Sequence, residues 1–253
     1  MRNPKSILIT GATSGIGAAL VREYAAPGMR LVLSGRDESR LETVAADARA
    51  SGAAVETAVL DVTNAEATAH WVEAADDAGP LDLAIANAGI SGGTFGGGES
   101  VRQASAIFAT NIDGMVNTLT PAMQRMVLRG RGQIAIVSSL AGFRGIPGSP
   151  AYSASKAAAR VWGDAMRGRL KRRGVGVSII CPGFVRTPMT DINQYNMPML
   201  MEVDKAAALI RRRLARGHEM IAFPWPMYLA VRLIAALPRP VGDLIYGRMP
   251  EKK

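Results

Sequence analysis

The chain of 253 residues contains one cysteine, which excludes an intramolecular disulfide. Cys181 ends the apolar run Val177-Ser178-Ile179-Ile180-Cys181 and reads as a small buried side chain. Histidine is almost as scarce. His70 and His218 show no metal-ligand spacing, so no metal site is expected. Aromatic residues are only 5% of the chain, which leaves the core to Ala, Val, Leu and Ile. Hydrophobic residues are nevertheless 48%, enough for one large α/β core. No long apolar run follows the first charged residues, so no signal peptide is expected. A reducing, cytoplasmic location fits these absences. Acidic side chains are also under-supplied, at 21 against 30 Lys and Arg, for a net charge of +9. Arginines gather between Arg167 and Arg173 and at Arg211-Arg212-Arg213. They read as solvated helix faces or as an attraction for phosphate-bearing partners or an anionic membrane. A nucleic-acid partner is not expected, because no binding motif or aromatic interleaving accompanies the charge.

What the chain does contain is a regular alternation. Strand signals fall at 6–10, 30–34, 55–60, 82–86, 132–138, 175–181 and 219–222. Helical patterns lie between them at 16–26, 38–50, 65–78, 101–128, 152–172 and 203–216. Runs such as Ile134-Ala135-Ile136-Val137 are apolar on both faces, which implies a parallel sheet covered on both sides. Right-handed crossovers then build a doubly wound α/β fold of the Rossmann type, with about seven strands in a single domain. Its ligand crevice lies beyond the strands' C-terminal ends. Pro121 is expected to kink or divide the long helical stretch. Residues 91–98, with five glycines, read as a mobile loop at the substrate pocket.

Two motifs carry chemistry. Ser6 to Thr10 is a short apolar strand, and Gly11-Ala12-Thr13-Ser14-Gly15-Ile16-Gly17 leads from it into a helix. Strand, glycine turn and helix N-terminus make a pyrophosphate cradle, the first half of a dinucleotide-binding unit. The spacing is Gly-x-x-x-Gly-x-Gly. The second motif is Tyr152-Ser153-Ala154-Ser155-Lys156, whose ends stack on one helix face. A free phenol titrates near ~10, and lowering it to neutrality requires ~4 kcal/mol. One ammonium about 4 Å away at an effective dielectric of ~20 supplies an interaction of that size.

Together, and in this order, these motifs resemble the short-chain dehydrogenase/reductase family over roughly residues 5 to 222. The resemblance implies hydride transfer between a nicotinamide cofactor and a ketone or secondary alcohol. It assigns Asn111, Ser139, Tyr152 and Lys156 as a catalytic tetrad. Tyr152 would be the proton donor and acceptor, and Lys156 would support it and bind the nicotinamide ribose. Ser139, thirteen residues before the tyrosine, is selected over Ser138 to hold the substrate oxygen. Asn111 would shape a helix and a proton path; an ordinary helix-start residue is the alternative. The cofactor would be contacted by Gly11, Thr13, Ser14, Gly15, Ile16, Gly17, Asp61, Val62, Asn87, Ala88 and Gly89. Tyr152, Lys156, Pro182, Gly183, Val185 and Thr187 would complete that surface. Position 35, where NAD-preferring members tend to carry an acid, is glycine, and Arg36 follows it. NADP is therefore expected, with NAD the alternative; Asp37 is expected to cap the next helix.

The family pattern leaves residues 223–253 unexplained, as a C-terminal extension of the single domain. Met227 to Leu237 is apolar apart from Arg232, between proline-bearing segments, and is too short to cross a bilayer, which takes ~20 residues. Packing over the substrate pocket, a subunit interface and peripheral membrane contact are the three readings. Four methionines between Met189 and Met201 suggest an adaptable lid. The substrate is expected to be a small or lipophilic carbonyl compound or alcohol. Alternatives are a 3-keto acyl or long-chain lipid and, in another class, a non-catalytic cofactor sensor or scaffold. The resemblance also implies a homodimer or homotetramer through the helices at 101–128 and 152–172.

Overall fold

The structure is a computed structural model that describes residues 3–93, 98–193, 196–238, 240, 241 and 244. Seven parallel strands form one sheet: β1 (Ser6–Thr10), β2 (Arg30–Gly35), β3 (Ala54–Val59), β4 (Leu83–Ala86), β5 (Gly132–Val137), β6 (Val175–Pro182) and β7 (Met220–Phe223). Their spatial order is β3-β2-β1-β4-β5-β6-β7. The direction of winding reverses between β1 and β4, which pair through Ile9 and Ile85. A crevice opens beyond the strand ends at such a reversal. The helices are α1 (Gly15–Tyr24), α2 (Glu38–Ala50), α3 (Ala65–Ala78), α4 (Val101–Phe108), α5 (Gly114–Leu128), α6 (Pro150–Lys171), α7 (Pro188–Asp191), α8 (Val203–Ala215) and α9 (Trp225–Ala236).

The two-residue period of the strands sorts the core into two layers. Ile7, Ile9, Leu31 and Leu33 face α1 and α8, packing with Leu20 and Ile210. Leu8, Val32 and Ile134 face the opposite way, with Val72 of α3, Leu119 of α5 and Ala159 of α6. β1, β4 and β5 are buried along their whole length, as the continuous apolar runs require. Each fully buried Leu or Ile contributes about 1.5–3 kcal/mol of transfer free energy.

The helical stretch at 101–128 breaks elsewhere than at Pro121. α5 runs through that buried proline, while a wide π-type turn occupies Ala109–Asp113. The wider turn carries Asn111, whose amide is engaged by another segment, and such turns favour functional positions. Three elements lie outside the helical patterns of the sequence: a 3-10 turn at Leu140–Phe143, the short α7 and α9. The centre of the 91–98 loop, residues 94–97, lies outside the described residues. Among the described residues no helix is long and apolar enough to cross a membrane.

Gly17 packs so closely under the first turn that an added Cβ would lie 2.1 Å from Gly11 O and 2.5 Å from Asn87 Nδ2. Gly17→Ala is therefore expected to lower unfolding free energy by about 1–3 kcal/mol in urea titration, despite the ~1 kcal/mol that helix propensity alone would gain.

Candidate active site

The glycine turn is fastened to the neighbouring strand. Asn87 Nδ2 donates to Thr10 O (3.1 Å) and Gly11 O (3.0 Å). Thr10 Oγ1 accepts from the backbone N–H of Asn87 (3.2 Å) and of Ala88 (3.3 Å). Gly11 has φ +66°, and a Cβ there would lie 2.7 Å from Ala88 Cα. Ser14 precedes α1 without a side-chain cap, so the open N–H groups of the helix start lie at the wall formed by Gly15 and Ile16.

A second group of contacts holds the start of α6. Glu99 Oε2 accepts from the backbone N–H of Ala151 at 2.7 Å. Tyr152 and Lys156 follow on one face of the helix, with Lys156 Nζ 5.7 Å from the centroid of the tyrosine ring. Lys156 is buried, and its Nζ donates to Val137 O at the end of β5 at 2.9 Å. Burial pushes this ammonium down to about 8. Ser138 Oγ donates to Lys156 O at 2.7 Å, and Ser155 Oγ donates to Tyr152 O at 2.8 Å. Asn111 closes the frame. Its Oδ1 accepts from Ile90 N (2.8 Å), and its Nδ2 donates to Ile90 O (2.9 Å) and Ser155 Oγ (3.0 Å). It is buried within the π-type turn and starts no helix. The two serines separate by partner: Ser138 is turned to the α6 backbone, whereas Ser139 Oγ caps the 140–143 turn by accepting from Ala141 N at 3.1 Å.

These groups border a cleft of about 460 Å³. It is lined by Gly11, Thr13, Ser14, Gly15, Ile16, Arg36, Asp61, Val62, Asn87, Ala88 and Gly89. Ser139, Tyr152, Lys156, Pro182, Gly183, Val185 and Thr187 line it as well. Gly17 and Asn111 stand behind this wall and support it. Thr187 stands beside the glycine turn, its Cγ2 3.2 Å from where a Cβ at Gly15 would lie. Asp61 Oδ1 accepts from Thr63 N and Oγ1, and the backbone bond most of all holds its carboxyl below the usual range. Arg36 Nη1 lies 3.9 Å from Asp61 Oδ2. Asp37 caps α2 by accepting from Arg40 N at 3.0 Å.

A second, mainly apolar cavity of about 430 Å³ adjoins the first. The two share Ser139, Tyr152, Gly183, Met189 and Thr190. Met227, Val231 and Ile234 of α9 form one wall of the second cavity, and Met189 lies in the shared neck.

The supporting groups Val137, Ser138 and Ser155 escape sequence reading, because their part is played by backbone or by small hydroxyls that any core can hold. Arg40 also lines the cleft, and its place one turn beyond Arg36 was a signal available in the sequence. The acid-free apolar run of α9 was the signal for the cavity wall.

Comparison with known proteins settles the family. The family model described as short chain dehydrogenase matches residues 5–197. The chain belongs to the short-chain dehydrogenase family of oxidoreductases. An uncharacterized oxidoreductase of Myxococcus xanthus is 39% identical over 97% of this chain and 97% of its own. A short-chain dehydrogenase/reductase from Burkholderia phymatum, solved with NAD, covers 100% of this chain and 98% of its own, at 26% identity and a TM-score of 0.84. A short-chain dehydrogenase from Sphingobium yanoikuyae, solved with NADPH, covers 92% of this chain and 96% of its own, at 27% identity and a TM-score of 0.79.

The donor set of this short-chain dehydrogenase fits a dinucleotide. The uncapped start of α1 and the glycine turn suit a pyrophosphate, and the Lys156 ammonium lines the same cleft. Keeping that ammonium buried costs stability. Its folded value of about 8 lies below the unfolded ~10.4, so the cost is complete below pH 8 and fades as pH rises between the two. Lys156→Met is expected to raise the cofactor-free unfolding free energy by about 1–4 kcal/mol at pH 7. That gain should shrink as pH rises from 8 to 10, as read by chemical denaturation.

Proposed function

We propose that this short-chain dehydrogenase moves a hydride reversibly between NADP(H) and a lipophilic ketone or secondary alcohol, with Tyr152 exchanging the proton. The observation that supports this most is the neck shared by the polar cleft and the apolar cavity, where Ser139 and Tyr152 belong to both. A bound nicotinamide supplies or accepts the hydride. In reduction Tyr152 gives its phenolic proton to the substrate oxygen; in oxidation its phenolate takes the alcohol proton. Lys156 favours the phenolate and holds ribose hydroxyls. Ser139 Oγ donates to the same substrate oxygen and fixes its position. Asn111 keeps the tyrosine's helical turn in register through Ser155.

NADP is favoured over NAD by the charge in the cleft. A Cβ at Gly35 would lie 2.2 Å from Thr13 Cγ2, so the place of a ribose-binding carboxylate is taken up by Thr13. Arg36 and Arg40 both line the cleft and suit a 2′-phosphate.

The walls of the second cavity, among them Leu140, Ile146 and Ile234, also suit a 3-keto acyl or long-chain lipid substrate. A cofactor-sensing scaffold is less favoured, because Ser139, Tyr152 and Lys156 are all in place at the cleft. Pairing of identical subunits through α5 and α6 is supported by a groove there that includes Val116, Met123, Val127 and Trp162.

Tyr152→Phe removes the acid and keeps the ring. Its kcat with NADPH, in a screen over lipophilic ketones, should fall by about 10²–10⁴-fold, with NADPH binding little changed. Turnover close to wild type would refute the role of the phenol. Arg36→Ala should weaken NADPH binding by about tenfold or more and leave NADH unaffected, as measured by fluorescence titration. Tighter binding of NADH than NADPH by the wild type, with no loss on Arg36→Ala, would overturn the preference.

A further inference from the structure

α9 is apolar on two sides. Met227, Ala230, Val231 and Ile234, spaced three and four residues apart, turn inward and line the apolar cavity. Trp225, Leu229 and Leu233, spaced by four, lie on the other side and are 70%, 48% and 62% exposed. The exposed series continues through Leu237, Val241 and Leu244. No acidic residue lies within the helix. An apolar series of this extent, exposed among the described residues, is unusual for a surface helix and marks an interaction site.

We propose that this outer face of α9 docks the protein on the surface of an anionic lipid bilayer. Charge is the first argument. Residues 224–253 contain five basic and two acidic side chains, and the whole chain has a net charge of +9. Both attract the protein to an anionic surface. Arg232 lies beside the apolar series, with its Nη1 bonded to Tyr228 Oη at 3.0 Å. Area is the second argument. A 12-residue helix is ~18 Å long and ~10 Å wide, so its face offers about 200 Å², and even about doubled by Leu237, Val241 and Leu244 it stays below the ~800 Å² per partner of a stable protein interface. A fluid lipid surface needs neither that area nor a matching shape. Composition is the third. A tryptophan at one end, leucines along the face and an arginine at its border are the elements of a helix that lies in a membrane interface. The docking requires no turnover, so it stands or falls apart from the proposed reaction.

The test uses the full chain with sucrose-loaded vesicles, separated by sedimentation. One set contains phosphatidylcholine and phosphatidylglycerol in equal parts, the other phosphatidylcholine alone. The protein is expected to pellet with the anionic set, and less as salt is raised. The triple variant Trp225→Ser, Leu229→Ser, Leu233→Ser alters only outward-facing side chains and should bind more than about tenfold more weakly. Thermal unfolding checks that it is folded. Should it not be, Arg232→Glu takes its place, with an expected loss of about tenfold on anionic vesicles. Three results would overturn the proposal: no pelleting with anionic vesicles, equal pelleting by the variant under test, or a wild-type dimer in gel filtration that the triple variant dissociates while neither binds vesicles. The last would assign the face to a second copy of the chain.

Discussion

A buried ammonium is the constraint around which this active-site region is arranged. Lys156 Nζ sits on the carbonyl of Val137, at the last residue of β5, and burial depresses its proton affinity. A cation in that position has to be held from several directions. Ser138 takes the lysine's own carbonyl, Ser155 takes that of Tyr152, and Asn111 ties Ser155 to Ile90 just beyond β4. The helix is thus tied at its first two turns to two different strand ends. Any shift of α6 along its axis would break several buried hydrogen bonds together. A helix so fixed can keep a phenol and an ammonium at one place relative to a bound coenzyme.

The fold was legible because its signals are redundant. β5 is apolar on both faces, α1 starts at a glycine turn, and Asp37 and Asn64 cap α2 and α3 from the ends of the preceding loops. Each signal is local and agrees with the others. The residues named for the cleft also fall together, since all follow strand ends that a parallel sheet brings to one edge. Pro121 does not divide its helix, for a physical reason. A proline inside a buried, well-packed helix is tolerated when neighbouring elements hold the axis, and the packing of α5 on α3 and the sheet lies far from it in sequence. The wide turn at Asn111 had no local signal either: the backbone that its amide meets, that of Ile90, lies 21 residues away.

The cavity was less legible than the cleft. Phosphate and nicotinamide chemistry restricts residue types, so glycines, an asparagine and a lysine stand out together when they come in the right order. An apolar wall restricts only volume. Met189 and Met227, both suited to irregular surfaces, could equally have packed in a core. Only the fold brings α7 and α9 to opposite sides of the same space.

Gly183 carries a further consequence. Its N–H is bonded to Phe223 O at 2.7 Å, and a Cβ there would lie 2.8 Å from Met227 Sδ. Phe143 and Tyr228 meet edge to face, 5.5 Å apart, and Arg144 donates to Ile234 O. The break in sequence pattern at residue 223 is therefore not a seam in the packing. Shortening the polypeptide there would not release an intact catalytic core with a tail removed. It would bare the glycine, leave Phe143 without its ring partner and open one side of the chamber to water. Substitutions at 183 and 227 are constrained as a pair, although 44 positions separate them.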